Sequence, residues 1–310
     1  MTPTLLFVGD VSWDITLGTA RIPGSDEKVV VDQLEEHAGG VVANAAVAAA
    51  RAGASTRGLF QLGSDWRGRA AVEALARTGM ALSTAEASGA TALALIALDD
   101  QGEKRLWLYF GRSMYPQLSQ VDSCELADCS WAHTAVYDVR AAARLVDRCR
   151  RAGVPWSIDL EPATFPDGID TLSDHVHGAA VVFCNDAASE QLGPEPVARL
   201  IALGARRVVR SRGSLGAELY DRELGVERIL VRAPNVEAID TTGAGDCLAG
   251  WFAYGLVTGG DARGALERAV AAASLSCTRP GGQASFPTEG ELDSFLGASP
   301  DARMPSHGRR

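Results

Sequence analysis

The seven residues Asp240-Thr241-Thr242-Gly243-Ala244-Gly245-Asp246 constrain this chain most, because they set an acid on either side of a glycine turn at the start of a helix. Val236 to Ile239 approaches it as a short strand-like segment, and Cys247 to Tyr254 continues with helical periodicity. Two glycines around one alanine turn the backbone tightly and leave N–H groups free at a helix N-terminus. The unpaired donors and the helix dipole point the same way there, so the place stabilises an anion. A carboxylate beside such a turn is costly unless it has chemistry to do, which makes Asp246 a candidate general base. A base next to an anion hole is what a hydroxyl needs in order to attack a phosphoryl group. A glycine pair alone would suit a tight loop with Asp246 as a helix cap; the full seven-residue string favours the catalytic reading.

A chain of 310 residues forms one large α/β domain or two smaller ones. Its 46% hydrophobic and 22% charged residues describe an ordinary soluble globule. Lys+Arg 29 against Asp+Glu 39 gives a net charge of −10, which argues against non-specific nucleic-acid binding. A local cluster of cations can still receive an anionic substrate. The cysteines (Cys124, Cys129, Cys149, Cys184, Cys247, Cys277) show no C-x-x-C pair and no metal-type spacing, so reduced thiols are expected. The N-terminus lacks the basic start of a signal peptide, and the longest apolar run, around Val41 to Ala50, is interrupted by Asn44. A cytoplasmic protein with no membrane or nucleic-acid partner is expected.

Leu5 to Val8 reads as a central strand buried on both faces, and Asp14 follows beyond its end, where open α/β sheets meet their ligands. An Asp there also serves as a plain turn residue. Lys28 to Val31 predicts a short strand. Gly39-Gly40 opens an Ala-rich helix that runs to Arg51 and ends at Gly53. Within it Asn44 is either a solvent-facing or capping amide or one aimed at a ligand. No G-x-G-x-x-G occurs, which argues against a dinucleotide enzyme. The runs Thr91 to Leu98 and Lys104 to Phe110 flank Asp99-Asp100-Gln101-Gly102-Glu103, a hairpin signal, and with residues 28–34 they predict a small projecting sheet. Strand and helix patterns then alternate through Trp131–Tyr137, Ala141–Arg151, Val154–Asp159, Ala180–Cys184 and Arg206–Arg210. That alternation predicts an α/β fold with a doubly wound, mostly parallel sheet.

The Asp240–Asp246 string closely resembles the D-T-x-G-A-G-D signature of the ribokinase-type (PfkB) carbohydrate kinases. Gly39 to Asn44 is similar to that family's G-G-x-x-x-N sugar element, and Leu62 to Gly68 to its L-G-x-D-x-x-G. Ser211 to Gly216 resembles its T-x-G-x-x-G nucleotide loop, and Cys277 to Ser285 its C-terminal T-R-x-G-a stretch. The likeness covers nearly the whole chain in the right order. It implies a three-layer, ribokinase-like kinase domain over residues 1–297 with a β-sheet lid from about 17–36 and 90–112, while the Ser, Pro, Gly and Arg of residues 298–310 predict a frayed tail. It further implies transfer of the ATP γ-phosphoryl group to a sugar hydroxymethyl. Asp246 would accept the hydroxyl proton while the Gly243, Ala244 and Gly245 N–H groups hold the phosphate. Asp14, Gly39, Gly40 and Asn44 would grip the sugar, and Asn185, Ser211, Gly213, Gly216 and Gly245 the nucleotide with Mg²⁺. Asp240, Thr242, Ser276, Arg279, Gly281 and Ser285 would line a monovalent cation, K⁺. The family's N-x-x-E begins at Asn185 but has Ala188 at its last position, so Asp186 or Glu190 substitutes, or Mg²⁺ rests on waters and phosphates. An exposed lid sheet invites a homodimer.

For the substrate, Lys28, Asp138 and Arg140, together with the Cys277-Thr278-Arg279-Pro280-Gly281-Gly282 string, are similar to the 6-deoxy-6-sulfofructose kinase branch. A lysine and an arginine at those positions receive the sulfonate in that branch, so sulfofructose is the expected substrate. The branch's lid asparagine has no match around Leu108-Tyr109, and solvated surface cations are the other reading of Lys28 and Arg140. Fructokinase, ribokinase, 2-keto-3-deoxygluconate kinase and nucleoside kinase stay open. A catalytically silent sugar-binding relative would lack Asp246 or the glycine turn, and both are present. Absence of G-x-x-x-x-G-K-[ST] and of H-R-D or D-F-G sets excludes Walker-type and protein kinases.

Overall fold

Leu5 and Phe7 pack into one hydrophobic cluster and Leu6 and Val8 into a second, so alternate side chains of the first strand serve cores on opposite faces. A strand buried on both faces is central in its sheet, and this one (β1, Thr4–Gly9) lies seventh of nine. The computed structural model describes residues 2–100, 104–111, 115–222 and 225–298. The further strands are β2 (Ser12–Thr19), β3 (Gln33–Gly39), β4 (Ser55–Gly63), β5 (Ala81–Ala87), β6 (Leu93–Asp99) and β7 (Lys104–Tyr109). Then come β8 (Cys129–Ala135), β9 (Trp156–Leu160), β10 (Val181–Cys184), β11 (Arg207–Ser211), β12 (Ala217–Asp221) and β13 (Val226–Val231).

Among the described residues the large sheet runs β13-β12-β11-β10-β9-β8-β1-β4-β5. From β11 to β5 every neighbouring pair is parallel, while β12 and β13 join antiparallel. The strand order turns back between β8 and β1, the kind of switch point at which ligands enter beyond the strands' carboxyl ends. Asp10 follows β1 there, Tyr137 follows β8, and Asp159 and Glu161 close β9. The second sheet, β3-β2-β6-β7, pairs β2 with β6 in parallel and with β3 antiparallel, and β6 with β7 antiparallel.

Lys28 to Val31, read above as a strand, forms none. The stretch has no ladder partner, and Val30 is 81% exposed. β2 instead pairs with the more polar Gln33–Gly39, from Gly18↔Gln33 to Ser12↔Gly39, and the chain between loops out through Asp26 at a φ of 59°. Asp14 is likewise not in a turn. It lies within β2, opposite His37, so the small sheet starts five residues before the expected lid boundary. Residues 101–103 of the expected hairpin connection and most of the expected tail, 299–310, lie outside the described residues.

Three packed helices bring the distant motifs together. Val41–Ala52 packs against Ala244–Val257, which in turn packs against Ala262–Ser276. The first contact is backbone-close: a Cβ at Gly250 would collide with the Ala45 carbonyl oxygen and lie 2.9 Å from the Ala48 Cβ. Small residues at a helix crossing permit that approach, and dense packing makes it register-specific. Among the described residues no helix is long and apolar enough to cross a membrane.

Candidate active site

A cavity of about 130 Å³ lies where the small sheet covers the carboxyl ends of β1, β8 and β9. Its walls include Asp10, Asp14, Gly40, Asn44, Glu161, Thr242, Gly243 and Asp246. A larger groove of about 880 Å³, bordered by the helices Ala244–Val257 and Ala262–Ser276, contains none of the candidate residues. Of the candidate residues, Asp14, Gly40, Asn44, Thr242, Gly243 and Asp246 line the small cavity.

Asp246 stands in the first turn of its helix, which begins after Gly243 at a φ of 76°. Only glycine takes that left-handed cap without strain. Asn44 Nδ2 donates to Asp246 Oδ2 at 2.7 Å, and Gln283 Nε2 donates to Asn44 Oδ1 at 3.0 Å. Loss of water around the Asp246 carboxyl raises its pKa well above the carboxylate range, and nearby Asp159 raises it further; the Asn44 bond pulls the other way. The anion turn is partly closed on itself, since Ala244 N–H donates to Thr241 O at 3.3 Å. The remaining first-turn donors have no intrahelical acceptor.

On the opposite wall, Asp14 is 6% exposed and accepts from Ser12 Oγ at 2.6 Å. Burial raises its pKa against the lowering effect of Ser12, His37 and Lys104. Gly39 is there for space, because a Cβ would collide with the Asp14 carboxylate. Asp10, which sequence reasoning passed over, caps the helix that carries Asn44, accepting from Val41 N–H at 2.6 Å and Val42 N–H at 3.1 Å. Burial pushes its pKa up to about 7 against those two bonds. Tyr137 donates to Glu161, and desolvation carries the phenol's pKa well above its usual value. Lys104 was also missed; its Nζ donates to Thr242 Oγ1 at 3.2 Å. Nothing local marked it, since a charged residue flanking a hairpin turn is ordinary.

The other candidates divide. Asn185 caps the helix Asp186–Leu192 by accepting from Ala188 N–H at 2.8 Å. Asp186 Oδ1 lies 3.1 Å from Arg212 Nε, which brings this cap to the loop of Ser211, Gly213 and Gly216 after β11. Ala188 is fully buried. Asp240 accepts from Thr242 N–H and from Gly281 N–H, each at 2.9 Å, so the two C-terminal motifs do meet. Burial raises the Asp240 pKa, but these hydrogen bonds outweigh it and leave the group below its ordinary value. Ser276 and Ser285 are buried nearby in sequence to Gly281, each donating to a backbone carbonyl, while Arg279 pairs with Glu291 at 2.9 Å. Lys28 and Arg140 are exposed and neither lines the cavity. Asp138, also exposed, is the N-cap of Val139–Ala152 and accepts from Ala141 N–H at 2.9 Å.

A buried acid beside a helix N-terminus, facing a small cavity under a β-sheet cover, is an arrangement that suits transfer of an anionic group to an alcohol. The chain belongs to the pfkB family of carbohydrate kinases, whose family model matches residues 2–289. It is 27% identical over 302 residues to an ATP-dependent ribose-1-phosphate kinase of Halopiger xanaduensis, covering 94% of this chain and 97% of that one. It is equally 27% identical to the ribokinase of Bacillus subtilis, over 93% of this chain and 98% of the relative. The fold matches Arabidopsis thaliana ribokinase complexed with ribose and ATP at a TM-score of 0.80 and 24% identity, covering 96% and 100% of the two chains. The protein is thus an ATP-dependent carbohydrate kinase by class.

Proposed function

We propose that this chain transfers the γ-phosphoryl group of ATP to the hydroxymethyl of a pentose, ribose first. The observation that carries this reading is the Asn44–Asp246 pair in a cavity of about 130 Å³ that also holds Asp14. That space is smaller than the roughly 300–1,000 Å³ of sites for larger ligands, which favours a monosaccharide over a nucleoside. The curated relatives described above, a ribokinase and a ribose-1-phosphate kinase, support a pentose. Sulfofructose, expected from Lys28 and Arg140, has no support: both cations are exposed and away from the cavity, as solvated surface residues would be.

Asp14, with Gly39, Gly40 and Asn44, orients the sugar hydroxyls. Asn44 occupies Asp246 Oδ2 and leaves Oδ1 to take the proton of the attacking hydroxyl. A carboxylate made more basic by burial accepts that proton more readily. The Gly243–Gly245 turn steadies the transferring phosphoryl, and the Asn185 cap and Ser211–Gly216 loop hold the nucleotide. Among the described residues no three His, Cys, Asp or Glu side chains form a metal cage. Mg²⁺ would be carried on the ATP phosphates, where it neutralises charge, with Asp186 or Glu190 beside the Asn185 cap as the protein's own carboxylates. The Asp240–Gly281 junction, with Thr242 and Ser285, is where a potassium ion would bind. The kinase unit spans 1–297, and the exposed lid residues Leu34, Leu95 and Trp107 suit a homodimer.

The test is ADP release across ribose, ribose-1-phosphate, fructose, 6-deoxy-6-sulfofructose, 2-keto-3-deoxygluconate and nucleosides. Ribose should give the highest kcat/KM. A preference for sulfofructose or for nucleosides would overturn the reading.

A further inference from the structure

The carboxyl groups around the cavity do not share its positive charge. Against the burial that raises its pKa, Asp14 has the His37 ring and the Lys104 ammonium nearby, and both favour its ionised form. The same ammonium acts on Asp240 and donates to Thr242 Oγ1. Asp10 has both its oxygens occupied by the Val41 and Val42 N–H groups. Glu161, the residue after β9, also lines the cavity. The neutral Tyr137 hydroxyl donates to its Oε2, and among the described residues no Lys or Arg forms an ion pair with it. Burial is the main cause of the raised pKa at Asp10, Asp159, Asp246 and Tyr137, and the charge on Glu161 adds to each. A carboxylate so placed takes a hydrogen bond from a neutral hydroxyl and repels an anion.

We propose that Glu161 is the specificity-determining residue that restricts the acceptor to an uncharged sugar: its carboxylate accepts from a sugar hydroxyl and turns away an acceptor that carries a phosphate, sulfonate or carboxylate. This deepens the kinase reading above and rests on it, since it decides between ribose and ribose-1-phosphate. A phosphate monoester carries a charge of about −1.5 to −2 at neutral pH. A space of about 130 Å³ holds that charge close to Glu161. Beside Glu161 the acceptor's anion meets further acid, from Asp10 and Asp159. The transferring phosphoryl group is spared, because the helix that begins after Gly243 faces it with unpaired N–H donors. Tyr137 holds the Glu161 carboxylate in place without neutralising it. Repulsion of this kind is worth about 10- to 10²-fold in affinity.

The experiment compares wild type, E161Q and Y137F, each as the full chain, by kcat/KM for ribose and for ribose-1-phosphate with ATP and Mg²⁺. Wild type should favour ribose. E161Q should cut that preference about tenfold or more. It should do so by raising kcat/KM for ribose-1-phosphate, a gain that loosened packing would not give. Y137F keeps the carboxylate and should keep the preference. A second arm needs no turnover: calorimetric binding of both sugars without nucleotide, in which E161Q should bind ribose-1-phosphate about tenfold or more tighter than wild type does. A wild-type preference for ribose-1-phosphate, no gain for it in the E161Q binding arm, or equal relaxation in Y137F would overturn the proposal. If no sugar is turned over but E161Q still gains ribose-1-phosphate binding, the ribose assignment fails and the role of Glu161 stands. Turnover of ribose with the same preference in all three proteins would leave the ribose reading in place and remove Glu161 from it.

Discussion

Asn44 Nδ2 donates to Asp246 Oδ2 at 2.7 Å although the two residues are 202 positions apart. The bond joins the helix after Gly39-Gly40 to the Gly243 turn, and the close crossing at Gly250 makes it geometrically possible. Gln283 occupies the other end of the Asn44 amide at 3.0 Å and so fixes which end faces the acid. The Asp246 carboxylate is therefore held by a hydrogen-bond relay drawn from three separate stretches of chain.

If Asp246 is the proton acceptor, Asp246→Asn should retain the fold and nucleotide binding while lowering kcat about 10²- to 10⁴-fold. Steady-state kinetics beside a circular-dichroism melt would show it. Near-normal turnover would remove the mechanism.

The relay has a pH signature. Asp246 must be ionised to act, and burial places its pKa well above the carboxylate range, so activity should rise with pH through that raised value. Asn44 donates to the ionised form and holds the pKa down. Asn44→Ala should thus move the acidic limb of the kcat profile to higher pH. Gln283→Leu, which removes the hydrogen bond to the Asn44 amide, should move it the same way by less. A limb that stays in place in both variants would show that the relay does not tune the base.

Asp10 gives a stability prediction. Its folded pKa of about 7 lies above the ordinary 3.8, so the native state holds a proton that the unfolded state has lost between those values. Stability therefore falls as pH rises across that window, by up to about 4 kcal/mol for roughly three pH units at 1.36 kcal/mol each. Asp10→Asn cannot titrate and should flatten the slope. Urea unfolding at pH 4.5 and 7.5 measures this, and equal slopes in variant and wild type would contradict it.

Gly250→Leu should be destabilising by about 1–3 kcal/mol, since no space exists at the helix crossing. Because the same crossing sets the Asn44–Asp246 distance, kcat should fall with the melting temperature. A variant that melts lower yet keeps full kcat would uncouple the packing from the site.

Local chemistry settled much of this protein in advance. The two-faced burial of Leu5 to Val8 follows from an unbroken apolar run, and the helix from Val41 follows from Gly39-Gly40 and a stretch of alanines. The turn at Gly243, the left-handed cap at Gly53 and the side-chain caps at Asp65 and Asn185 follow from residue types whose backbone preferences act over a few positions. Tertiary structure decided everything that depends on direction over long range. Lys28 and Arg140 stand outside the cavity because the segment before β3 finds no partner strand and because Asp138 is used to start a helix. Asp14 became a strand residue because Gly39 leaves room for its carboxylate across the sheet. Lys104 reached Thr242 only because β7 lies over the switch point of the other sheet. Periodicity reports which face of an element is apolar, but it carries no record of which distant backbone that face will meet. Here that was decided by packing at a single glycine-lined crossing and by the placement of the small sheet over β1 and β8.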